Sequence, residues 1–332
     1  MTNKLDQTKK RVMSGMRPTG RLHVGHYLGV LKNWLLLQDT HTCFFMVADW
    51  HALTTQYAAT ENIAQNRLEM VLDWLSVGVD PTKATLYVQS DIPEIAELHL
   101  LLSMLVPKAW LEGSPTLKDL LKGGECNYGV LGYPVLQTAD ILTPRGEFVP
   151  VGKDQLPHLE ISRDIARRFN HVYGGDILPE PKPLLTETPL VKGVDGNKMG
   201  KSSNNGILIS DTDDETARKI KTAITDRNRI LKTDPGDPNN CEVVFPYYQL
   251  FADEAAIALA DSECRQALRG CMDCKKQLAE IVNEWLRPMR HRRNEFAQDM
   301  GAVQAILNAG RDHMRDEAQY TLGLVKTSMK LI

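Results

Sequence analysis

Two short segments hold the side chains best suited to chemistry. His23-Val24-Gly25-His26 sets two imidazoles three residues apart, on one face of a helix start. The free N–H groups and partial positive charge of a helix N-terminus favour phosphate oxygens. Imidazole donors at that place could stabilise charge growing on a phosphoryl group. Gly25 has no side chain, so a ring or phosphate can approach the backbone. The second segment is Lys198-Met199-Gly200-Lys201-Ser202, preceded by Gly196-Asn197. Two ammonium groups on a glycine-containing loop suit a triphosphate whose charge moves during reaction. They can tighten on pyrophosphate in the transition state and release it afterwards. Taken singly, the histidines read equally as helix caps or core residues, and the lysines as an exposed basic loop. In this order, on either side of a nucleotide-binding architecture, they predict the two halves of an ATP clamp that activates a carboxylate.

Cys241, Cys264, Cys271 and Cys274 form a second constellation, spaced C-x22-C-x6-C-x2-C. Cytosolic chains seldom use disulfides, so a metal is the first expectation. Four thiolates suit tetrahedral Zn²⁺ or a [4Fe–4S] cluster, and the spacing lacks the paired C-x2-C of a zinc ribbon. Free thiols are the third reading. Cys43 and Cys126 stand apart and read as buried or incidental thiols. A basic stretch holds Arg287, Arg290, Arg292 and Arg293 with His291. It is either a solvated helix face or a source of phosphate contacts.

The elements that must carry these residues follow from apolar periodicity. Residues 11–14 read as a strand running into the turn Gly15 to Gly20. A helix starts near His26, with Leu28, Leu31 and Leu35 on one face. Strands are predicted at 43–48, 84–89 and 148–151, and helices at 61–77, 95–106 and 154–169. Strands alternating with helices indicate an α/β fold with a doubly wound parallel sheet, Rossmann-like, whose ligands bind beyond the carboxyl ends of the strands. After residue 206 the pattern becomes helical, at 211–224 and through most of 254–329, with a turn-rich loop from Asp234 to Asn240. The expected division is a catalytic domain over 1–206 and a helical domain over 207–332. Whether the last helix returns to the first domain is not decided by sequence.

Composition sets the class. The chain has 332 residues, 42% hydrophobic and 24% charged, with a net charge of −3. That is ordinary for a soluble globular protein, and no global basic field announces nucleic acid. No apolar run approaches the ~18–20 residues of a membrane span. The polar start, with Lys4, Lys9, Lys10 and Arg11, lacks an apolar signal core, so a cytoplasmic location is expected.

The two lead segments resemble the HIGH and KMSKS signatures of class I aminoacyl-tRNA synthetases. Gly200 departs from the family, which usually has Ser there. One backbone-ordering hydroxyl is lost, while both lysines and Ser202 remain. Within the class, the chain is similar to bacterial tryptophanyl-tRNA synthetases over nearly its full length. The matching residues are Ser14-Gly15-Met16-Arg17-Pro18-Thr19-Gly20, Ala48-Asp49-Trp50-His51-Ala52-Leu53-Thr54, the run from Tyr133 to Leu142 and the run from Val151 to Glu160. The Gly152-Lys153-Asp154-Gln155 segment also occurs in tyrosyl enzymes, whereas Thr138-Ala139-Asp140-Ile141-Leu142 favours tryptophan.

That resemblance implies roles. Indole offers one N–H donor and no acceptor, so a buried carboxylate suits it, and Asp140 stands where the family uses one. Tyr133 and Gln155 would hold the substrate's amino group. Arg17, Pro18 and Thr19 match the loop at the nucleotide, Gly25 and His26 the HIGH-like turn, and Gly152, Lys153 and Asp154 the ribose segment. Leu190 matches a backbone contact to adenine and Lys118 a further phosphate-binding lysine. His23, His26, Lys118, Lys198 and Lys201 would carry catalysis, with Met199, Gly200 and Ser202 completing the loop at ATP–Mg²⁺. The implied partners are L-tryptophan, ATP, tRNA(Trp) and a second copy of the chain. A subset of these relatives carries the same cysteine spacing and binds [4Fe–4S] in the domain that reads the anticodon, where Lys275, Lys276 and the 287–293 stretch could meet phosphates. Rival readings are tyrosine as substrate, a nucleotidylyltransferase using H-x-G-H, and a non-catalytic tRNA-binding relative.

Overall fold

The computed structural model describes residues 9–113, 127–152, 155–185, 191–201 and 203–332. Five strands form one sheet: β1 Arg11–Met16, β2 Thr42–Val47, β3 Ala84–Val88, β4 Phe148–Val151 and β5 Lys182–Leu185. Their order is β3-β2-β1-β4-β5 and every pairing is parallel. Val12 lies opposite Cys43 on one side and Phe148 on the other. The winding direction therefore reverses between β1 and β4, and the crevice at that reversal is where an open parallel sheet binds ligands.

β2 and β3 are buried along their whole length. Their side chains alternate between two cores, as the period of two demands. Cys43, Phe45 and Val47 enter one core, with Trp34 stacked on Phe45 at 4.0 Å and edge-on to Trp74 at 5.1 Å. Phe44, Met46 and Tyr87 enter the other, with Ile95, Leu98 and Leu142.

Three elements that the sequence pattern does not predict contain proline. β5 contains Pro183 and is only half-buried, which hides its strand character and suits a sheet edge. The helix Tyr128–Leu142 contains Pro134, and the helix Val244–Phe251 contains Pro246, so both break the sequence pattern of a helix. The first helical run starts at Val24, with His23 as its N-cap. It passes through a π-helical turn, Tyr27–Leu31, before continuing as Lys32–Thr40.

Beyond residue 206 the long helices are Asp213–Thr222, Glu254–Arg265, Cys271–Gln298 and Met300–Ser328. They straddle the sheet. Leu278, Val282 and Leu286 of the Cys271–Gln298 helix, at a spacing of one turn, join the core that holds Trp34. Met314, Ala318 and Val325 of the last helix join the other. The last helix thus returns to the sheet. Gly310 lies directly on the Leu86 carbonyl, and Thr85 Oγ1 meets His313 Nδ1 at 2.9 Å. Thr321 Oγ1 donates to the Thr143 carbonyl at 2.8 Å. No helix among the described residues is long and apolar enough to cross a membrane.

Candidate active site

The loop leaving β1 delivers the first motif to the carboxyl end of the sheet. His23 is extended (φ −101°, ψ 166°) and begins the helix. Its N–H donates to His26 Nδ1 at 3.2 Å, which leaves the His26 proton on Nε2. The two rings lie 3.7 Å apart. Burial, then the neighbouring Lys201, holds the His23 imidazole down at about 4. Burial, then His23 and Lys201, brings His26 to about 2. Both rings are neutral at pH 7. Gly25 is explained by this packing, since a Cβ there would stand 2.9 Å from His23 Nδ1. The ring that approaches the glycine belongs to the motif itself.

The structure brings the second motif onto the first. Val24 N–H donates to the Ile207 carbonyl at 2.9 Å, and Ile209 N–H donates to Leu22 at 2.9 Å. Met199 is buried between Gly25 and Gly206, and a Cβ on Gly206 would come within 2.9 Å of Met199 Cγ. Lys201 Nζ reaches Thr19 Oγ1 at 3.1 Å and the Gly20 carbonyl at 2.7 Å. Burial lowers its ammonium to about 8, with Asp73 opposing and Arg17 adding to the shift. Lys198, Arg17 and Gln155 are exposed, and Pro18 is buried.

Gly200 has a backbone partner that sequence reasoning missed. Gly200 N–H donates to Asn205 Oδ1 at 2.9 Å, while Asn205 Nδ2 donates to Asp195 Oδ1 at 2.8 Å and to the Lys198 carbonyl at 3.2 Å. Asn205 is buried and lies flat on Gly193, where a Cβ would overlap its amide. Its distance from the signature, three residues past Ser202, gave no signal.

Asp140 is buried on the Tyr128–Leu142 helix, two turns beyond Tyr133 and so on the same face. His51 Nε2 meets its Oδ2 at 2.7 Å, and Gln89 Nε2 donates to its Oδ1 at 2.8 Å. Gln89, at the carboxyl end of β3, also accepts Trp50 N–H through Oε1 at 3.0 Å. Its amide therefore links the start of the Asp49–Gln56 helix to the carboxylate. Burial pushes the Asp140 carboxyl up, and the bonds from His51 and Gln89 oppose it. A surface carboxylate is excluded. The hydroxyl of fully buried Tyr87, beside this carboxylate, has no hydrogen-bond partner among the described residues. Tyr133 Oη bonds the His158 ring, 2.9 Å from Nε2. Gly152 follows β4, and its carbonyl accepts Gln155 N–H at 3.0 Å. Lys118, Lys153, Asp154, Leu190, Ser202 and Cys126 lie outside the described residues.

The four spaced cysteines line one cavity, together with Arg229, Phe245 and Arg269. None is in a disulfide. Cys271 and Cys274 occupy the first turn of the Cys271–Gln298 helix. Arg229 Nη1 donates to Cys264 Sγ at 3.7 Å, and Phe245 N–H donates to Cys241 Sγ at 3.4 Å. A Cβ on Gly236 would stand 2.6 Å from Cys264 Sγ. Burial pushes the Cys241, Cys264 and Cys274 thiols up. Among the described residues, no three His, Cys, Asp or Glu side chains stand close enough to hold a single metal ion. The cysteines therefore share a cavity without forming a preassembled mononuclear zinc site.

The basic stretch is mostly turned inward, which corrects its reading as a phosphate-binding face. Arg290 Nη2 donates to Thr216 Oγ1 at 2.7 Å and Nη1 pairs with Asp213. Arg292 Nε donates to the Ser76 carbonyl at 2.7 Å. Arg293 binds Asp73 and Glu69. Arg287 is exposed and paired with Glu284.

Comparison with known proteins agrees with this geometry. The family model described as tRNA synthetases class I (W and Y) matches residues 5–287. The chain is 40% identical to the tryptophan--tRNA ligase of Aquifex aeolicus (strain VF5) over 395 residues, covering 97% of this chain and 100% of that one. It is 41% identical to the Thermotoga maritima tryptophan--tRNA ligase over 330 residues, covering 97% and 99%. The solved structure of Campylobacter jejuni tryptophanyl-tRNA synthetase complexed with ADP and tryptophane is 34% identical, covers 96% of this chain and 99% of its own, and has a TM-score of 0.89.

Proposed function

The chain belongs to the tryptophan--tRNA ligases of the class I synthetase family, and on that premise we propose how its residues divide the work. The reaction is ATP-dependent joining of tryptophan to tRNA(Trp), and tyrosine is set aside as the substrate. The tryptophan carboxylate attacks the α-phosphorus of ATP and pyrophosphate leaves. A terminal ribose hydroxyl of the tRNA then attacks the adenylate carbonyl and AMP leaves. Positioning and charge stabilisation dominate the first step.

In this reading His23 and His26, as neutral imidazoles, donate to the phosphate oxygens. Lys201, Lys198 and Lys118 follow the charge onto pyrophosphate, with Mg²⁺ balancing the triphosphate. Arg17, Pro18, Thr19, Gly25, Gly152, Lys153, Asp154 and Leu190 form the nucleotide bed, and Met199, Gly200 and Ser202 close it. Asp140 accepts the indole N–H, while Tyr133 and Gln155 hold the amino group. The observation that carries this reading is the seating of Met199 and Lys201 on the 19–26 turn. Lys198→Ala combined with Lys201→Ala is expected to abolish tryptophan-dependent ATP–pyrophosphate exchange. Exchange at the parent rate in that variant would remove both lysines from the mechanism.

We propose that Cys241, Cys264, Cys271 and Cys274 would hold a [4Fe–4S] cluster, on the ground that all four line one pocket. Four thiolates are the ligand set such a cluster would take, and it would supply electron-transfer chemistry there. Arg229, Arg269 and a helix N-terminus offset the negative charge of thiolates in the cavity. Within this reading, residues 207–332 approach the anticodon, the enzyme works as a homodimer, and it acts in the cytoplasm.

A further inference from the structure

We propose that Asp73 and Arg293 are positioning residues for adenylate formation, holding the HVGH turn in register from the long helix that begins at the cysteine cavity. Asp73 lies on the Ile63–Val77 helix and is fully buried. Its Oδ2 accepts the Leu22 N–H at 2.6 Å, and its Oδ1 accepts Arg293 Nε at 2.7 Å. Leu22 is the residue before His23, and its carbonyl receives Ile209 N–H from beyond the lysine loop. The carboxylate thus fixes the backbone at the point where the nucleotide loop becomes the histidine motif. The Arg293 guanidinium is forked, its other arm pairing with Glu69. Glu69 is held in turn by Arg21 at 3.2 Å and Gln65 at 2.9 Å.

The same helix grips the motif from its other end. Trp285 stands edge-on to Tyr27, the residue after His26, with ring centres 5.0 Å apart. Arg292 bonds the Ser76 carbonyl, which fixes the register of the Cys271–Gln298 helix on the Ile63–Val77 helix. Asn283 and Arg290 bind Asp213 and Thr216 on the helix that follows the lysine loop. One helix therefore ties down both sides of the ATP site. A buried carboxylate left without its arginine must find another partner or take up a proton. What remains around it is the Leu22 amide it already binds and the nearby Lys201 ammonium, so the loss falls on the histidine turn and the ATP site. Lysine cannot replace the fork, because an ammonium lacks the planar two-armed geometry.

The test is steady-state ATP–pyrophosphate exchange on the full chain, with KM for ATP and for tryptophan measured separately. Arg293→Gln is expected to lower kcat/KM for ATP about tenfold or more, the scale of losing a hydrogen bond to a charged group. The KM for tryptophan should move less than about twofold, a split that general loosening of the fold does not produce. Arg293→Lys should recover part of the loss and serves if the glutamine variant folds poorly. Asp73→Asn should match Arg293→Gln, and the double variant should be no worse than the weaker single one. Unchanged ATP kinetics in these variants would overturn the proposal. So would parallel losses for ATP and tryptophan that track the unfolding midpoint. The inference rests on the ATP site described above, and Lys201→Ala separates the two. A Lys201 effect without an Arg293 effect rejects the positioning pair. An Arg293 effect without a Lys201 effect rejects the role of Lys201.

Discussion

Lys201 is a titratable switch on its own reaction. Burial lowers its ammonium to about 8, so the charged form is the majority at pH 7 and is lost as pH rises. Since kcat/KM reports groups of the free enzyme, kcat/KM for ATP should fall above about pH 8. Lys201→Arg keeps its charge over that range and should abolish the alkaline limb, measured from pH 6 to 10. An alkaline limb unmoved by the substitution would assign it to another group. At this scale the paired histidines, the lysines and the cysteines stand out in the sequence by residue type and short spacing, and Asp140 only through the family resemblance. Asn205, Gln89, His51 and Asp73 carried no such signal. Their importance lies in whom they touch, such as Asn205 binding the Gly200 N–H and the Lys198 carbonyl.

At the scale of elements, the parallel strands were legible because burial on both faces makes them continuous apolar runs. Proline concealed β5 and two helices. The last helix supplies the clearest test of element packing. Its Gly310 lies against the Leu86 carbonyl on β3, so an added methyl meets backbone that cannot rotate away. Gly310→Ala is expected to destabilise the fold by about 3 kcal/mol, at the upper end of ordinary overpacking, despite the higher helix propensity of alanine. Urea unfolding measures this directly. A midpoint equal to the parent's would show that the helix does not bear on the strand as described.

At the scale of the whole molecule, the Cys271–Gln298 helix packs into one core of the sheet, and the last helix contributes Val303 and Leu307 to that core and Met314, Ala318 and Val325 to the other. Cys271 and Cys274 begin the helix that ends near the histidine turn, so the cysteine cavity and the ATP site share one helix. Protein purified without oxygen should show visible charge-transfer absorption and acid-labile sulfide. Cys264→Ser should lose both. Colourless, sulfide-free parent protein would reject the cluster. Without a metal, the Cys241, Cys264 and Cys274 thiols would have their ionisation resisted by burial.

The sequence by itself determined the reaction class, the parallel architecture and the residues able to do chemistry. Those follow from local pattern: a helix start bearing imidazoles, lysines beside glycine, apolar runs and thiol spacing. Only the tertiary structure decided that Met199 packs between two glycines, that Asp140 is clamped by His51 and Gln89, and that the last helix returns to β3. It also made Arg290, Arg292 and Arg293 internal struts, neither a solvated helix face nor a set of phosphate contacts. Each of these joins residues far apart along the chain, and the energies involved belong to burial and hydrogen-bond satisfaction. Short-range periodicity does not encode either. The pair of motifs says what the site is made of, and the packing of the C-terminal helices says what holds it in place.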